Sequence, residues 1–426
     1  MRLVAPTKVL EIELGRPLTS LAGSADERER YRRAFVLVRL HGEPLGTISL
    51  ELHHGDVDIE ALVGQIRRDL GLRISDHLKR DGATGDIRFK HDGSLDASSQ
   101  CRGERLRDMW PLASVIVCTR DRPRELEACI ESLLRMTHPR FEVIVVDSAP
   151  STAVTRETVE RYIGGPVPVR YVHEDEPGLA RARNRGAGAA AGDHVAFTDD
   201  DVRVDASWLS ELTLAFDLTS GVGCTTGLSL PAELETPSQV WFEEFGGFSK
   251  GFDRRIFDRA SHRGVEPLYP YKVGWFGSGL NMAFDAATLR ALGGFDEHLG
   301  AGSRVHGGED LDAFLRVILD GWRLVYEPRA LVWHHHRREL RALRRQLRGS
   351  GSGLSAVLAK RLRDPSTRRE VLAKAWPGLR YLLAPSSPKN RGKTRGFPPS
   401  LTVAELVGVA AGPFVYSYSL WRDGQP

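Results

Sequence analysis

The stretch Val195-Ala196-Phe197-Thr198-Asp199-Asp200-Asp201 runs from an apolar segment rich in strand formers straight into three consecutive carboxylates. That is how a buried strand reads when its carboxyl end opens into a site. Three adjacent negative charges repel one another unless a cation sits among them. A hard divalent ion such as Mn²⁺ or Mg²⁺, itself carrying a diphosphate, is the natural neutraliser. The same residues also suit an acidic turn capping the next helix, because Asp is a common turn and N-cap residue.

Working outward, the segments around this stretch alternate between strand and helix patterns from Ala113 onward, the signature of an α/β sheet covered by helices. Ser114 to Thr119 reads as a buried strand, and Arg122-Pro123 starts a helix with proline at its favoured first position. Leu126, Cys129, Ile130, Leu133 and Leu134 give that helix one apolar face. Phe141 to Val146 is the next strand and ends at Asp147. A helix over 153–162, a strand over 167–172 and a small-residue helix beginning in Gly178-Leu179-Ala180-Arg181-Ala182-Arg183-Asn184-Arg185-Gly186 then lead into the Asp199 strand. Ligands collect at the carboxyl ends of strands in such sheets, and Thr119, Asp147 and Asp199 all stand at these ends.

Phosphate-binding loops of the common kinds are absent. The first strand runs into Thr119-Arg120-Asp121-Arg122-Pro123 without GxGxxG, and no GxxxxGK[ST] occurs anywhere. Nucleotide phosphates, if bound, fall to metal and arginines.

Beyond the acidic strand, a helix over 208–217 and a strand over 222–228 precede a long stretch, 231–273, with little periodicity. Trp241, Phe242, Phe245, Phe248, Phe252, Tyr269, Tyr271, Trp275 and Phe276 are expected to line a groove there or to pack inward. Gly277 to Phe284 reads as a strand with glycines at its approach. Gly307-Gly308-Glu309-Asp310 opens a helix whose buried face is Leu311, Phe314, Leu315, Ile318 and Leu319. Its two carboxylates suit either a general base or dipole-compensating caps. Strands over 323–326 and 330–333 end at His334-His335-His336, where an imidazole completes a metal site or forms a solvated basic turn.

Three regions are expected: a small α+β unit over 1–105, an α/β domain over 111–340, and a basic helical extension over 341–426. The first holds strand 7–14, a hairpin of 34–40 and 45–52 around His41-Gly42-Glu43-Pro44, and a helix over 58–80, with a polar linker over 81–107. The third is set apart by charge. Between Arg337 and Arg395 stand 17 Lys/Arg against 3 Asp/Glu, a net of +14, which leaves about −11 for the rest of a chain whose total is +3. Such a region meets anionic lipid, polyphosphate or nucleic acid, or is simply a solvated helical face. Leu401 to Trp421 is apolar but carries Glu405 and Pro413, so it suits an anionic membrane surface better than a membrane span. No stretch near the start has the order of a signal peptide, and Cys101, Cys118, Cys129 and Cys224 form no CxxC pair. Both point to the cytoplasm and to cysteines that are structural filler, and the basic region with Leu401 to Trp421 adds peripheral membrane contact at its inner face.

The chain from about Ala113 to His336 resembles the inverting family 2 glycosyltransferases of the GT-A fold, with a mixed, mostly parallel sheet flanked by helices. The resemblance rests on the first strand with Thr119-Arg120-Asp121-Arg122, on Val145-Val146-Asp147, on Gly178 to Gly186, on Thr198-Asp199-Asp200-Asp201, and on Asn281 to Phe284 followed by Gly294-Phe295-Asp296 and Gly308-Glu309-Asp310. It implies a nucleotide-diphosphate sugar as donor. Asp147, Thr119 and Arg122 would lie at the nucleoside, Arg183 at the nucleotide or its phosphates, and Asp199 and Asp201 would form the DxD pair alongside Asp200. Asp201 would ligate Mn²⁺ or Mg²⁺, helped by Asp199 and His334. Asp310 would be the catalytic base and Glu309 would shape the acceptor side, the acceptor being a glycan, a lipid-linked molecule or a small molecule. Ser148, Ala149 and Pro150 depart from the family's Asn and Ser after the second-strand Asp, which puts the nucleobase contacts in doubt. The QxxRW signature of processive synthases is missing at Arg344-Arg345-Gln346-Leu347-Arg348, which argues for transfer of a single residue. A sugar-phosphate nucleotidyltransferase would want a Gly-rich basic loop after the first strand. A nucleic-acid-binding protein would want a recognition motif beside the basic region, and neither feature is present.

Overall fold

The structure, a computed structural model, describes residues 3–18, 24–82, 88–95, 110–393 and 396–424. It divides into two units: Met1–Met109 with Pro231–Val240, and Trp110–Leu230 with Trp241–Pro426.

In the first unit, β1 (Lys8–Glu13) lies parallel to β2 (Arg33–Leu40), and β2 is antiparallel to β3 (Glu43–Glu51). The short α1 (Ala25–Arg30) starts with a capping box between Ser24 and Glu27. The long α2 (Ile59–Arg80) is capped by Asp58, whose carboxylate accepts the Ala61 amide at 3.1 Å. Leu62, Ile66, Leu70, Ile74 and Leu78 recur every four residues and bury one stripe of α2 against the sheet. Of the linker, residues 83–87 and 96–107 lie outside the described residues, as does Cys101. Leu95 folds back, giving its amide to the Leu14 carbonyl at 2.7 Å. Residues 231–240 join this unit: the Thr7 amide donates to Leu234 O at 2.9 Å, and Leu234 and Val240 pack with Phe35. Their lack of periodicity hid this, because the strand that receives them lies more than 190 residues earlier in the chain.

The second unit is built on β4 (Ala113–Thr119), β5 (Phe141–Ser148), β6 (Val169–Glu174), β7 (His194–Asp199), β8 (Val202–Val204), β9 (Val222–Pro231), β10 (Arg255–Phe257), β11 (Asn281–Asp285) and β12 (Arg323–His334). These described strands form one sheet in the order β10-β12-β9-β11-β7-β4-β5-β6, with β8 paired to β12. The β7-β4-β5-β6 half is parallel, while β11 is antiparallel to both β7 and β9. Alternate residues of β4 feed two cores. Val115 and Val117 pack with Leu126, Cys129 and Ile130 of α3 (Pro123–Leu133), and Ile116 faces the opposite cluster. Full burial contributes about 1.5–3 kcal/mol per aliphatic side chain of this kind, so a strand sandwiched between helices reads as an unbroken apolar run. On the second face lies α5 (Leu179–Ala189), preceded by α4 (Val154–Glu160). A Cβ on Gly186 would sit 2.6 Å from Ile116, so the small residues of α5 let it lie close on the sheet. Cys118, Cys129 and Cys224 are buried free thiols, as expected of filler.

Further along come α6 (Trp208–Leu218), α7 (Pro237–Phe245), α8 (Ala286–Ala291) and α9 (Glu309–Leu319). Three expectations are corrected. Residues 323–326 and 330–333 belong to one continuous strand, β12, despite Pro328 within it. The aperiodic stretch 231–273 contains α7 and β10. Its aromatics do not line an open groove as a set: Phe242, Tyr269, Tyr271 and Phe276 are buried core residues. Ring–ring contacts such as Phe257 on Phe276, 5.0 Å apart, occupy them internally.

The basic segment is helical, as α10 (Leu340–Arg363), α11 (Pro365–Ala373), α12 (Ala375–Leu383) and α13 (Pro399–Arg422), and it belongs to the same unit as the sheet. A Cβ on Gly351 would lie 2.3 Å from Glu405 O, and one on Gly408 would lie 2.0 Å from Arg348 O. Glycine therefore lets α10 and α13 pack backbone against backbone. Part of the positive charge turns inward: Lys360 Nζ reaches Asp296 and Asp312 at 2.7 and 2.9 Å, and Arg361 reaches Asp312 at 3.3 Å. These pairs hold α10 against α9.

Candidate active site

Backbone pairing puts the acidic triplet beside the histidines. β7 ends at Asp199, Asp200 and Asp201 turn, and β8 pairs antiparallel with β12 so that Val202 faces His334. The His335 amide donates to Asp201 O at 3.0 Å. His334 and His336 are buried while His335 is exposed, the alternation of an extended chain.

His336 Nε2 lies 2.8 Å from Glu243 Oε1, and its Nδ1 lies 2.8 Å from His334 Nδ1. Burial pushes the His336 ring below the usual histidine range, toward its neutral form. The two rings and Glu243 thus form one hydrogen-bonded chain leading to Asp201. The Nε2 of His334 faces Asp201 Oδ1 at 3.3 Å, a contact that a proton or a cation between them makes favourable. Two donors at that spacing suit neighbouring positions around an ion with ligand distances of about 2.1 Å.

Asp200 accepts from Thr119 Oγ1 at 2.7 Å and from Arg122 Nη1 at 2.5 Å, while Arg122 Nη2 reaches Asp201 at 3.0 Å. Arg337 Nη1 stands 3.3 Å from Asp201. The two carboxyls respond in opposite directions. Burial, reinforced by Asp201 and Asp199, outweighs Arg122 and pushes Asp200 up to about 7. Burial also works against charge on Asp201, but His334, Arg122 and Arg337 together hold it far below the ordinary carboxylate range. Asp199 is raised, by burial first, although about a third of its side chain reaches solvent. Asp201 Oδ1 and His334 Nε2 are the two donors placed side by side for a cation, while Asp199 is turned to Arg183.

On the other side of Asp199 lies a second cluster. Arg183, on α5 and only 2% exposed, donates to Asp199 at 3.3 Å, to Glu309 at 2.7 Å and to the Gly279 carbonyl at 3.0 Å. It is thus spent on protein partners. Gly279 in turn donates its amide to Asp310 Oδ2 at 2.8 Å, and the Leu311 amide donates to Oδ1 at 2.8 Å. A Cβ on Gly279 would lie 3.0 Å from both Arg183 and Asp310. Glu309, buried beside Asp310 and opposed by Arg183, is pushed up to about 7. Helix α9 begins in left-handed backbone at Gly308, φ +94°, where a Cβ would strike Gly353 of α10 at 2.8 Å.

Asp147 stands apart from these clusters at the end of β5. Its Oδ2 accepts from Tyr171 at 3.1 Å, while its buried Oδ1 has no hydrogen-bond donor. Burial raises its pKa above the usual carboxylate range. The chain's own reading missed Glu243, His336 and Arg337 as partners of the triplet, and Gly279 as the bridge between Arg183 and Asp310. It also missed Lys250, which burial lowers to about 8 against the pull of Glu243 and Asp310. His336 alone carried a signal, the alternation within His334-His335-His336; the others depend on contacts across distant segments.

Residues 114–258 match the family model described as Glycosyl transferase family 2. The chain is 30% identical over 275 residues to a pre-mycofactocin glycosyltransferase of Mycobacterium tuberculosis, covering 64% of this chain and 52% of that protein. It is 27% identical over 257 residues to polypeptide N-acetylgalactosaminyltransferase 5 of Caenorhabditis elegans, covering 58% and 40% respectively. The chain thus spans about half the length, or less, of these relatives. Among solved structures, the mannosyltransferase PcManGT of Pyrobaculum calidifontis, in complex with GDP-Man and Mn²⁺, is 20% identical with a TM-score of 0.47 over 86% of this chain and 91% of that one. The acid-ended parallel strands of the second unit thus fall within the segment, 114–258, that matches glycosyltransferase family 2.

Proposed function

We propose that the second unit transfers one glycosyl residue from a nucleoside-diphosphate sugar to an acceptor hydroxyl, by direct displacement with inversion. The observation that carries this reading is the bridge through Arg183. One buried guanidinium touches Asp199 of the acidic triplet and Glu309 beside Asp310, so a donor half and an acceptor half share one rigid support.

In this reading Asp147 receives the nucleoside, because its buried unpartnered oxygen suits a ribose hydroxyl or a base N–H. Thr119 and Arg122 position Asp200, and the partly exposed guanidinium groups of Arg122 and Arg337 face the diphosphate. Bound Mn²⁺ or Mg²⁺, held by Asp199, Asp201 and His334, supplies positive charge to the leaving diphosphate. Asp310 is the general base: its carboxylate is aimed by the Gly279 and Leu311 amides and takes the acceptor proton as the bond forms. Arg183 is a positioning residue that fixes Glu309 and the Gly279 carbonyl.

The acceptor side is read as membrane-adjacent, on the cytoplasmic face. α12 exposes Trp376, Leu379 and Leu383 beside Lys374 and Arg380, and α13 exposes Phe414, Tyr418 and Trp421. Apolar side chains among cations suit an anionic lipid surface. α13 is also long and apolar enough to cross a membrane, but its glycine face packs on α10, which favours lying on the surface.

The test is a panel of nucleotide sugars incubated with the purified chain and Mn²⁺ or Mg²⁺, following release of nucleoside diphosphate. Turnover of at least one donor that stops with chelator and returns with metal is expected. Full turnover after exhaustive chelation would overturn the metal assignment.

A further inference from the structure

The first unit carries a cluster that the glycosyl-transfer reading does not use. At the β2–β3 turn, His41 and Gly42 have positive φ, +52° and +79°. Glu13 holds that turn by accepting both amides at 2.9 Å. The His41 ring lies over the carboxyl end of α2, where His77 and Asp81 stand one helical turn apart. His41 Nδ1 is 3.1 Å from His77 Nε2 and 3.0 Å from Asp81 Oδ2, and His77 Nε2 is 3.1 Å from the same oxygen. Three potential ligand atoms therefore form a nearly equilateral triangle.

Hydrogen bonds alone serve this triangle poorly. If both rings donate to Asp81, they share one oxygen, and the two donor nitrogens face each other at 3.1 Å without a proton between them. A cation seated over the triangle uses all three lone pairs at once. Zinc bonds to nitrogen and oxygen at about 2.0–2.2 Å, which places tetrahedral ligand atoms about 3.3 Å apart, close to the spacing here. Two further observations point to a positive charge. Asp81 is the C-cap of α2, so its carboxylate sits at the negative end of the helix dipole, where a cation is favoured. The other nitrogen of the buried His77 lies 3.3 Å from Glu43 Oε2, a charge contact without a hydrogen bond, and Arg80 holds Glu43 at 2.7 Å. A carboxylate on the far side of a ligating histidine is where its outer hydrogen-bond partner usually stands, and a small shift of Glu43 would make that bond.

We infer that His41, His77 and Asp81 bind a divalent cation of the zinc class, with solvent in the fourth position and Glu43 as the carboxylate behind His77. The ion ties the β2–β3 turn to the end of α2. It is separate from the acidic triplet and does not depend on the function proposed for the second unit.

The test uses the full chain, stripped with chelator, reloaded with Zn²⁺, passed through gel filtration and measured by elemental analysis. His41→Asn is the informative variant, since asparagine tolerates positive φ and the position lies at a turn. The unaltered chain should retain about one equivalent of zinc more than His41→Asn. Glu43→Gln should weaken binding about tenfold. Cobalt substitution should give tetrahedral ligand-field bands in the unaltered chain that His41→Asn and Asp81→Asn both lose. Equal zinc retention by the unaltered chain and His41→Asn, or cobalt bands unchanged by both substitutions, would overturn the site.

Discussion

Arg183 donates from Nη1 to Glu309 Oε1 over 2.7 Å, and both side chains lie inside the protein, joining α5 to the first turn of α9 across 126 residues of sequence. A buried charge left without its partner is costly, typically about 3–5 kcal/mol. Arg183→Met should therefore lower unfolding stability by roughly that amount at pH 8, read from urea titration. The loss should shrink at pH 5, where Glu309 takes up a proton. Adding Glu309→Met should recover part of the loss at pH 8. A pH-independent loss would place the effect in packing rather than charge.

Asp310→Asn keeps the size of the side chain and an oxygen for the Gly279 amide but removes the base. Transfer should fall by about 10²–10⁴-fold, the range for a general base, while donor affinity stays within about twofold. Product formation and donor titration on the same preparation check both. Full turnover by Asp310→Asn would remove it from the catalytic assignment.

Asp200 and Glu309 are both pushed up to about 7 in the folded protein, from ordinary values of 3.8 and 4.5. Between these limits the folded state binds more protons than the unfolded one, so stability falls as pH rises. Chelator-treated protein should lose urea resistance from about pH 4 to about pH 7, and Asp200→Asn or Glu309→Gln should flatten that slope. Asp201 acts in the opposite sense: its depressed value contributes stability that is lost below its unfolded value of 3.8, outside this window.

Gly308→Ala meets two obstacles, a φ of +94° and a Cβ 2.8 Å from Gly353. Gly293→Ala meets the first alone, at φ +75° with nothing within 4 Å. Positive φ costs a non-glycine residue about 1–3 kcal/mol. Gly308→Ala should cost clearly more than Gly293→Ala in thermal unfolding and should also lower transfer, because it shifts Glu309 and Asp310. Equal effects would mean α9 and α10 separate easily.

Vesicle sedimentation tests the membrane reading. Binding to anionic vesicles should weaken as salt is raised, and Trp376→Ser with Leu379→Ser should reduce it about tenfold, in line with the apolar area withdrawn. Unchanged binding by the double variant would move any contact away from α12.

Much of the fold was legible in the chain itself. Local patterning sets whether Ser114–Thr119 or Leu126–Leu134 becomes strand or helix. A proline at the first helical position, or an apolar run between helices, needs no distant partner to be read. The ends of β4, β5 and β7 were legible for the same reason, and with them Thr119, Asp147 and the acidic triplet. Tertiary structure alone decided the rest. Nothing near Glu243 marks it as the group behind His336, and nothing near Arg183 says that it faces Glu309 and the Gly279 carbonyl instead of open cleft. Residues 231–240 carry no sign that they join the first unit, and the aromatics after them read the same whether they line a groove or fill a core. Burial and ion pairing are set by which segments the sheet brings together. That depends on strand order and register, which no local run of residues encodes. The triplet Asp199-Asp200-Asp201 shows both sides: its place at a strand end was written in its neighbours, while the split between Asp200, pushed up by burial, and Asp201, held down by His334, Arg122 and Arg337, came from the segments folded around it.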